Sequence, residues 1–272
     1  MDDWKVYHGA LLPNIAPHEN ANIEILKKEK LLKNKLFARY TSEFDCGYET
    51  NWWYLIKDDE IDLEKLNSKK RYEIKKGLKN CYVKKISSKR YAYDLYNVYI
   101  MATNSYKNSD KPIKKDIFIE ECKKNDENKT IDYYGVFLNE NNKLVGYSLN
   151  NIGVDYVNLT TIKLDPNYLT KGISFALVYN MLIEYLNVQK KRYINDGERS
   201  IRHVTNFQDY LIKYFGFRKA YCKLHIIYNP LFECLVKIIY PFSKILDKFD
   251  NNKFINNINS IVKLEKINRE FI

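Results

Sequence analysis

Arginine is scarce in this chain: 8 of its 45 basic residues, which leaves 37 lysines in a sequence also rich in Asn, Ile and Tyr. The net charge of +11 suits an anionic partner in general terms. Dispersed lysine is a poor reader of nucleic acid, because bidentate recognition of bases and phosphates falls to the guanidinium. An AT-rich coding bias accounts for the same composition, and nucleic acid is not the expected partner. No apolar run reaches membrane-spanning length. The opening "MDDWKVYHG" has neither a basic n-region nor an apolar h-region, so no signal peptide is expected. The cysteines, Cys46, Cys81, Cys122, Cys222 and Cys234, are odd in number and form no CxxC pair. That pattern reads as free thiols in a reducing compartment, hence a cytoplasmic protein. The sequons at Asn128 and Asn158 carry no weight there. Cys222 and His225 stand three apart in a strand-like run and point to opposite faces; with no second ligand pair, no metal site is expected. His8, His18 and His203 accompany no nucleophile motif. Glycine (9) and proline (6) are few, and neither a linker nor a repeat is visible.

What is present is a chain of 272 residues, 45% hydrophobic and 29% charged, enough for a proper core. Residues 1–130 mix strand-like pieces ("LFARYTSEF", "NWWYLI") with a lysine-rich helical piece near Ile25–Lys35. A basic helix over Leu63–Leu78, the strand "CYVKKIS", a helix in "AYDLYNVYIMATNSY" and a short one at Ile117–Lys124 follow. Residues 131–229 are better punctuated. A hairpin, "YYGVFLN-ENN-KLVGYSLNNI", leads to the strand "YVNLTTIKL", a helix from Lys171 to Val188, the strand "KRYINDG", the helix "NFQDYLIKYFG" and a last strand. The order β-β-β-α-β-α-β predicts an α/β (α+β) fold, with a mixed, mostly antiparallel sheet and helices on both faces. Residues 230–272 read as apolar-striped helices that either pack on the domain or lie on a membrane surface.

The chemistry concentrates in "LDPNYLTKGISFALVYNMLIEYL", Leu164–Leu186. A strand feeding a glycine turn and then a helix presents first-turn N–H groups without intrahelical acceptors, together with the positive end of the helix dipole. Gly172 lets a phosphate approach the backbone, or it simply turns the chain; both readings stand at this level.

The series of segments resembles the GCN5-related N-acetyltransferase (GNAT) family from about Tyr133 to Asn229. The family's acyl-CoA loop, [QR]-x-x-G-x-[GA], aligns on Leu169, Thr170, Lys171, Gly172, Ile173 and Ser174, with Leu169 and Ser174 departing from the pattern. Gly216 and Phe217 match the family's Gly-Phe pair after its late helix, while Ile212 stands where a tyrosine is common. The resemblance implies an N-acyltransferase using acetyl-CoA or another acyl-CoA, without a metal. It implies that the strand through Ile162 and Leu164 pairs with the pantetheine arm. Thr170, Lys171, Gly172, Ile173 and Ser174 would hold the pyrophosphate, and Asn206 would either cap the late helix or bond the pantetheine. Asp196 or Glu198 would take the acceptor amine's proton; Tyr210 is the candidate acid. The acceptor class implied is a small-molecule or sugar amine, such as an amino sugar of a surface polysaccharide. The basic helix "NSKKRYEIKKGLKN" is similar to a segment of the two-unit GNAT-like branch that includes peptidoglycan-bridge aminoacyltransferases. There Lys70, Arg71, Lys75 and Lys76 either face an anionic substrate, tRNA being the alternative donor, or form a solvated charged face.

Overall fold

The computed structural model of the chain describes residues 4–7, 9–28, 30–105, 111–201, 206–242 and 253–271. His8, His203 and residues 243–246 of the penultimate helical run lie outside the described residues. The chain forms two compact units. One comprises Ile56–Gly197 and Tyr210–Phe217; the other comprises Met1–Leu55, Glu198–Asp209 and Arg218–Ile272.

The first of these units is built on five strands in the order β9-β8-β7-β6-β5, namely β5 (Cys81–Ile86), β6 (Ile131–Leu138), β7 (Leu144–Ile152), β8 (Tyr156–Leu164) and β9 (Tyr193–Glu198). All neighbours run antiparallel except β8 and β9, which are parallel. The period-2 pattern of "YYGVFL" sorts the two faces. Tyr133 and Phe137 join Leu95 and Val98 of α3 (Ala92–Asn104) and Phe118 and Cys122 of α4 (Lys115–Glu127) in one cluster. Tyr134 points the other way, its ring 5.7 Å from that of Tyr185, beneath α5 (Ile173–Leu182) and the π-helical turn Ile183–Val188 that continues it. Helices therefore cover both faces, and each fully buried large apolar side chain contributes about 1.5–3 kcal/mol.

On the α5 face the buried Asn150 donates to the Tyr185 hydroxyl (3.1 Å) and to Ser148 Oγ (3.2 Å), and Tyr185 donates to Asp132 (3.3 Å). A one-residue phase change at the π turn brings Tyr185 into reach of these strand residues. The turn falls inside the helix expected over Lys171–Val188.

Two helical expectations are corrected. The basic helix is α2, Ser68–Asn80, and starts later than Leu63 because the Asn67 side chain accepts the Lys70 N–H (3.0 Å) and fixes the N-terminus there. Leu63–Lys65 is a separate 3-10 turn capped by Asp62. The piece near Ile25–Lys35 is broken into α1 (Glu24–Lys28) and a 3-10 turn (Leu31–Asn34), since Lys30 adopts a left-handed φ of 48°, which no continuous helix accommodates.

The other unit sets β1 (Trp4–Tyr7), β2 (Ala10–Pro13), β3 (Phe37–Ser42) and β10 (Arg218–Tyr228) side by side, β2 and β3 parallel and the other pairs antiparallel. Strand β4 (Trp52–Lys57) carries the chain from this unit to the other, and its Trp52 and Leu55 are fully buried, as "NWWYLI" predicts. Beyond β10 come α7 (Pro230–Ile239) and α8 (Lys253–Asn268). Val262, Leu264 and Ile267 of α8 are buried, while α7 leaves Leu231, Leu235 and Ile238 exposed. Among the described residues no helix is long and apolar enough to cross a membrane.

His225 stacks on Tyr40, its cross-strand neighbour, at 4.9 Å and bonds Ser42 Oγ at 2.7 Å. Burial, helped by the charge of Lys223, holds its pKa below the ordinary 6.5. A depressed histidine favours the neutral ring in the fold, so its stabilisation is complete above the ordinary value and is lost as pH falls through the lowered one. The urea midpoint of the wild type is expected to drop more than that of His225→Gln between about pH 7.5 and about pH 5.5; parallel curves would refute this role.

Candidate active site

The site begins with a β-bulge. Asn150 of β7 pairs with Leu159 of β8, but Leu149 pairs with Thr161, so Thr160 is the extra residue. A bulge bends its strand and sharpens its twist. On its other edge β8 pairs with β9 at three positions only, Tyr156 with Tyr193, Val157 with Ile194 and Asn158 with Asn195. Beyond these the two strands part, and among the described residues no strand lies against that edge of Leu159–Leu164. The fork is pinned by the buried Asn195, whose amide donates to Asn158 Oδ1 (2.7 Å) and whose oxygen accepts the Gly197 N–H (2.9 Å).

Strand β8 ends at Leu164, and a short turn leads to α5. The Asp165 side chain accepts from the Asn167 N–H (3.0 Å), and Pro166 opens a 3-10 turn over Pro166–Lys171. Gly172 then adopts φ 79°, its N–H bonded to the Leu169 carbonyl (3.0 Å), and α5 follows at once. Among the described residues no side chain accepts the first amides of α5. Donors left in this way at a helix N-terminus, with the dipole behind them, suit an anion.

Gly172 has a second constraint that its sequence context does not reveal. A Cβ placed on Gly172 would lie 2.9 Å from Gly77 Cα in α2, and one on Gly77 would lie 2.5 Å from the Gly172 carbonyl oxygen. The C-terminal part of α2 thus packs backbone to backbone against the start of α5, and Asn80 at the end of α2 donates to the Lys171 carbonyl (3.1 Å). The left-handed turn and this helix contact by themselves account for the glycine. Lys171 is ion-paired with Glu140 at 2.9 Å, Thr170 is exposed, and Ser174 is half-buried.

Tyr210 of α6 (Asn206–Phe215) comes to the same corner. Its hydroxyl lies near Ser174, and its ring packs edge-on to Phe175 at 5.2 Å, with Tyr214 5.0 Å from Phe175 and 5.3 Å from Tyr210. Burial raises the Tyr210 pKa well above the ordinary phenol, against a smaller opposing effect of nearby Ser174, so this phenol keeps its proton. Ser174 and Tyr210, 36 residues apart in the sequence, are brought together. Ile162 and Leu164 lie on the parted half of β8, Ile162 opposite Ser148 and Leu164 opposite Gly146. Ile173 is fully buried. Asn206 is exposed at the first residue of α6.

The two carboxylates flanking Gly197 have different settings. Gly197 takes φ 96°, which breaks the strand's alternation between them. Asp196 is half-buried and belongs with Ile56–Gly197, whereas Glu198 belongs to the other unit. Glu198 is bound by Arg39 at 2.5 Å and by the Tyr54 hydroxyl at 3.0 Å, while Arg39 lies over the Trp52 ring at 5.1 Å. Burial and then the charge of Glu198 raise the Tyr54 pKa well above the ordinary value. Arg39 and Tyr54 were missed in the sequence, although a lone arginine among apolar and aromatic neighbours in "LFARYTSEF" was a visible signal. Of the basic residues of α2, Arg71 and Lys75 pair with Glu64 at 2.7 and 3.4 Å. Among the described residues no three His, Cys, Asp or Glu side chains gather as a metal ion requires.

No family model matches this sequence, and no curated protein does. Solved structures match in fold. FemX is 8% identical, with 87% of this chain and 85% of that one covered at a TM-score of 0.60. The C-terminal domain of a protein named as a lysylphosphatidylglycerol synthetase, from Agrobacterium fabrum, is 7% identical over 88% and 83% of the two chains, at 0.51. The ribosomal-protein-S18-alanine N-acetyltransferase of Escherichia coli is 16% identical over 53% of this chain and 81% of that one, at 0.38. The chain has the GNAT-like fold, with a mixed, mostly antiparallel sheet.

Alanine at Gly77 is expected to lower the stability by about 1–3 kcal/mol through overpacking. Alanine at Gly172 is expected to lower it further, because the left-handed conformation adds about 1–2 kcal/mol of strain. Urea unfolding of the two variants checks this; a Gly172→Ala protein as stable as wild type would leave the glycine without its structural role.

Proposed function

We propose that the chain is an N-acyltransferase that moves an acyl group, acetyl in the simplest case, from an acyl-CoA to an amine such as that of an amino sugar. The observation that carries the reading is the parting of β8 from β9 after Asn158 and Asn195, next to the uncapped first turn of α5. In this reading the diphosphate of the donor meets the amides of Ile173, Ser174 and Phe175. The open edge of Leu159–Leu164 gives the amide-bearing arm the hydrogen bonds that an added strand would take.

The amine nitrogen attacks the thioester carbonyl, the C–N bond forms, and the C–S bond breaks with the electron pair leaving on sulfur. The nitrogen must shed a proton and the thiolate must gain one. Asp196 or Glu198 takes the first role, which at Glu198 requires release of a guanidinium at 2.5 Å. Tyr210 is assigned the second, supported by a phenol that keeps its proton at neutral pH. Both groups work without a metal.

Isothermal titration with coenzyme A tests the reading. Saturable binding is expected, and Thr170→Glu should weaken it at least ~10-fold, about 1.4 kcal/mol, by placing a negative charge beside the phosphates. Thr170 is exposed, so the melting temperature should not change. No saturation at about millimolar coenzyme A would sink the proposal. Salt-sensitive tRNA binding in its place would move the donor to an aminoacyl-tRNA.

A further inference from the structure

The two helices after β10 use their apolar residues differently. α8 buries Val262, Leu264 and Ile267. α7 turns one side inward: Phe232 stacks on Phe37 of β3 at 6.3 Å, and Val236 is buried. Its other side carries Leu231, Cys234, Leu235 and Ile238, at i, i+3, i+4 and i+7, which is one line along a helix. Phe242, in the 3-10 turn Tyr240–Phe242 that follows, extends that line by one more turn. Leu231, Leu235, Ile238 and Phe242 are 85, 47, 65 and 55% exposed. A contiguous apolar stripe left in water marks a surface that something covers.

Both helices lie on the same face of β10. The Tyr228 ring is 6.0 Å from Phe232 of α7, and the Tyr228 hydroxyl donates to Glu265 of α8 at 2.7 Å. Arg269, in the turn that follows α8, lies over the Tyr240 ring at 3.9 Å and holds the end of α7 beside α8. Side chains that point away from β10 on the two helices therefore form one outer layer. On α8 the inward positions include the buried Leu264 and Asn268, whereas Lys263 and Lys266 are exposed and make no ion pair among the described residues. The layer thus joins an apolar stripe to uncompensated ammonium groups.

We infer that this layer rests on a lipid surface with anionic headgroups, α7 lying in its plane with the stripe in the acyl boundary and Lys263 and Lys266 at the headgroup phosphates. α7 has ten residues, about half of the ~20 that a crossing helix needs, and an amphipathic helix of this kind binds in the interface. The net charge of +11 acts in the same direction, since a negative leaflet attracts basic segments. A second copy of the chain fits less well. At these exposures the stripe offers roughly 400–500 Å², about half of the ~800 Å² that each partner of a stable pair buries, and lysines facing lysines across a two-fold axis repel. The inference stands independently of the acyltransferase reading.

Flotation of the full chain with vesicles tests it, using phosphatidylcholine alone and phosphatidylcholine mixed with phosphatidylglycerol. Binding to the mixed vesicles is expected, weaker on phosphatidylcholine alone and weakened by salt. Leu231→Gln combined with Ile238→Gln should reduce it at least ~10-fold, and Lys263→Gln combined with Lys266→Gln roughly 10-fold. All four positions are exposed, so the melting temperature should not change in either variant. Absence of flotation with the mixed vesicles, or wild-type flotation in either variant, overturns the inference. A wild-type dimer in sedimentation equilibrium that the Leu231/Ile238 variant breaks assigns the stripe to a second copy and equally overturns it.

Discussion

A β-strand has two hydrogen-bonding edges, and β8 uses one along its whole length but the other only as far as Asn158. The rest of the site depends on that asymmetry. The bulge at Thr160 bends the strand away from its parallel neighbour, and the Asn158–Asn195 side-chain bond marks where pairing stops. A buried asparagine is costly to leave unsatisfied. Its placement at the fork ties the opening to the stability of the sheet: closing the gap by further pairing would disturb a bond that the buried amide needs. The opening is thus a built feature of the fold, with the start of α5 at one end and the α3/α4 face behind it.

The start of α5 answers to two demands at once. Gly172 must turn with a positive φ, and its backbone must accept the close approach of Gly77 from α2. A glycine at such a position is required whether or not a phosphate ever binds. Support for an anion there comes from the amides that follow it, not from the glycine itself. The arrangement also makes α2 a brace for the loop, through the Gly77 contact and the bond from Asn80 to the Lys171 carbonyl.

Proton chemistry on this scaffold is sorted by environment. Tyr210 is packed among aromatic rings, where the phenolate is disfavoured and the proton retained. Glu198 is neutralised by Arg39 and serves first as the partner of a guanidinium and a phenol. Groups of the same nominal chemistry are thereby given different tasks by burial and by their neighbours.

The order of strands and helices from β6 to β10, the alternation that sorts the two faces of the sheet, and the turn at Gly172 were legible in the sequence. Each follows from local rules: period-2 and period-3.6 patterning, and the tolerance of glycine for positive φ. Local signals also misled where a single residue decided the outcome, as at Lys30 and Asn67. Tertiary structure alone decided that β8 and β9 part after three pairs, that Gly77 meets Gly172, that Tyr210 reaches Ser174, and that Glu198 is held by Arg39. Those are contacts between residues distant in the chain. Their register is set by the packing of whole elements, and no window of sequence contains both partners.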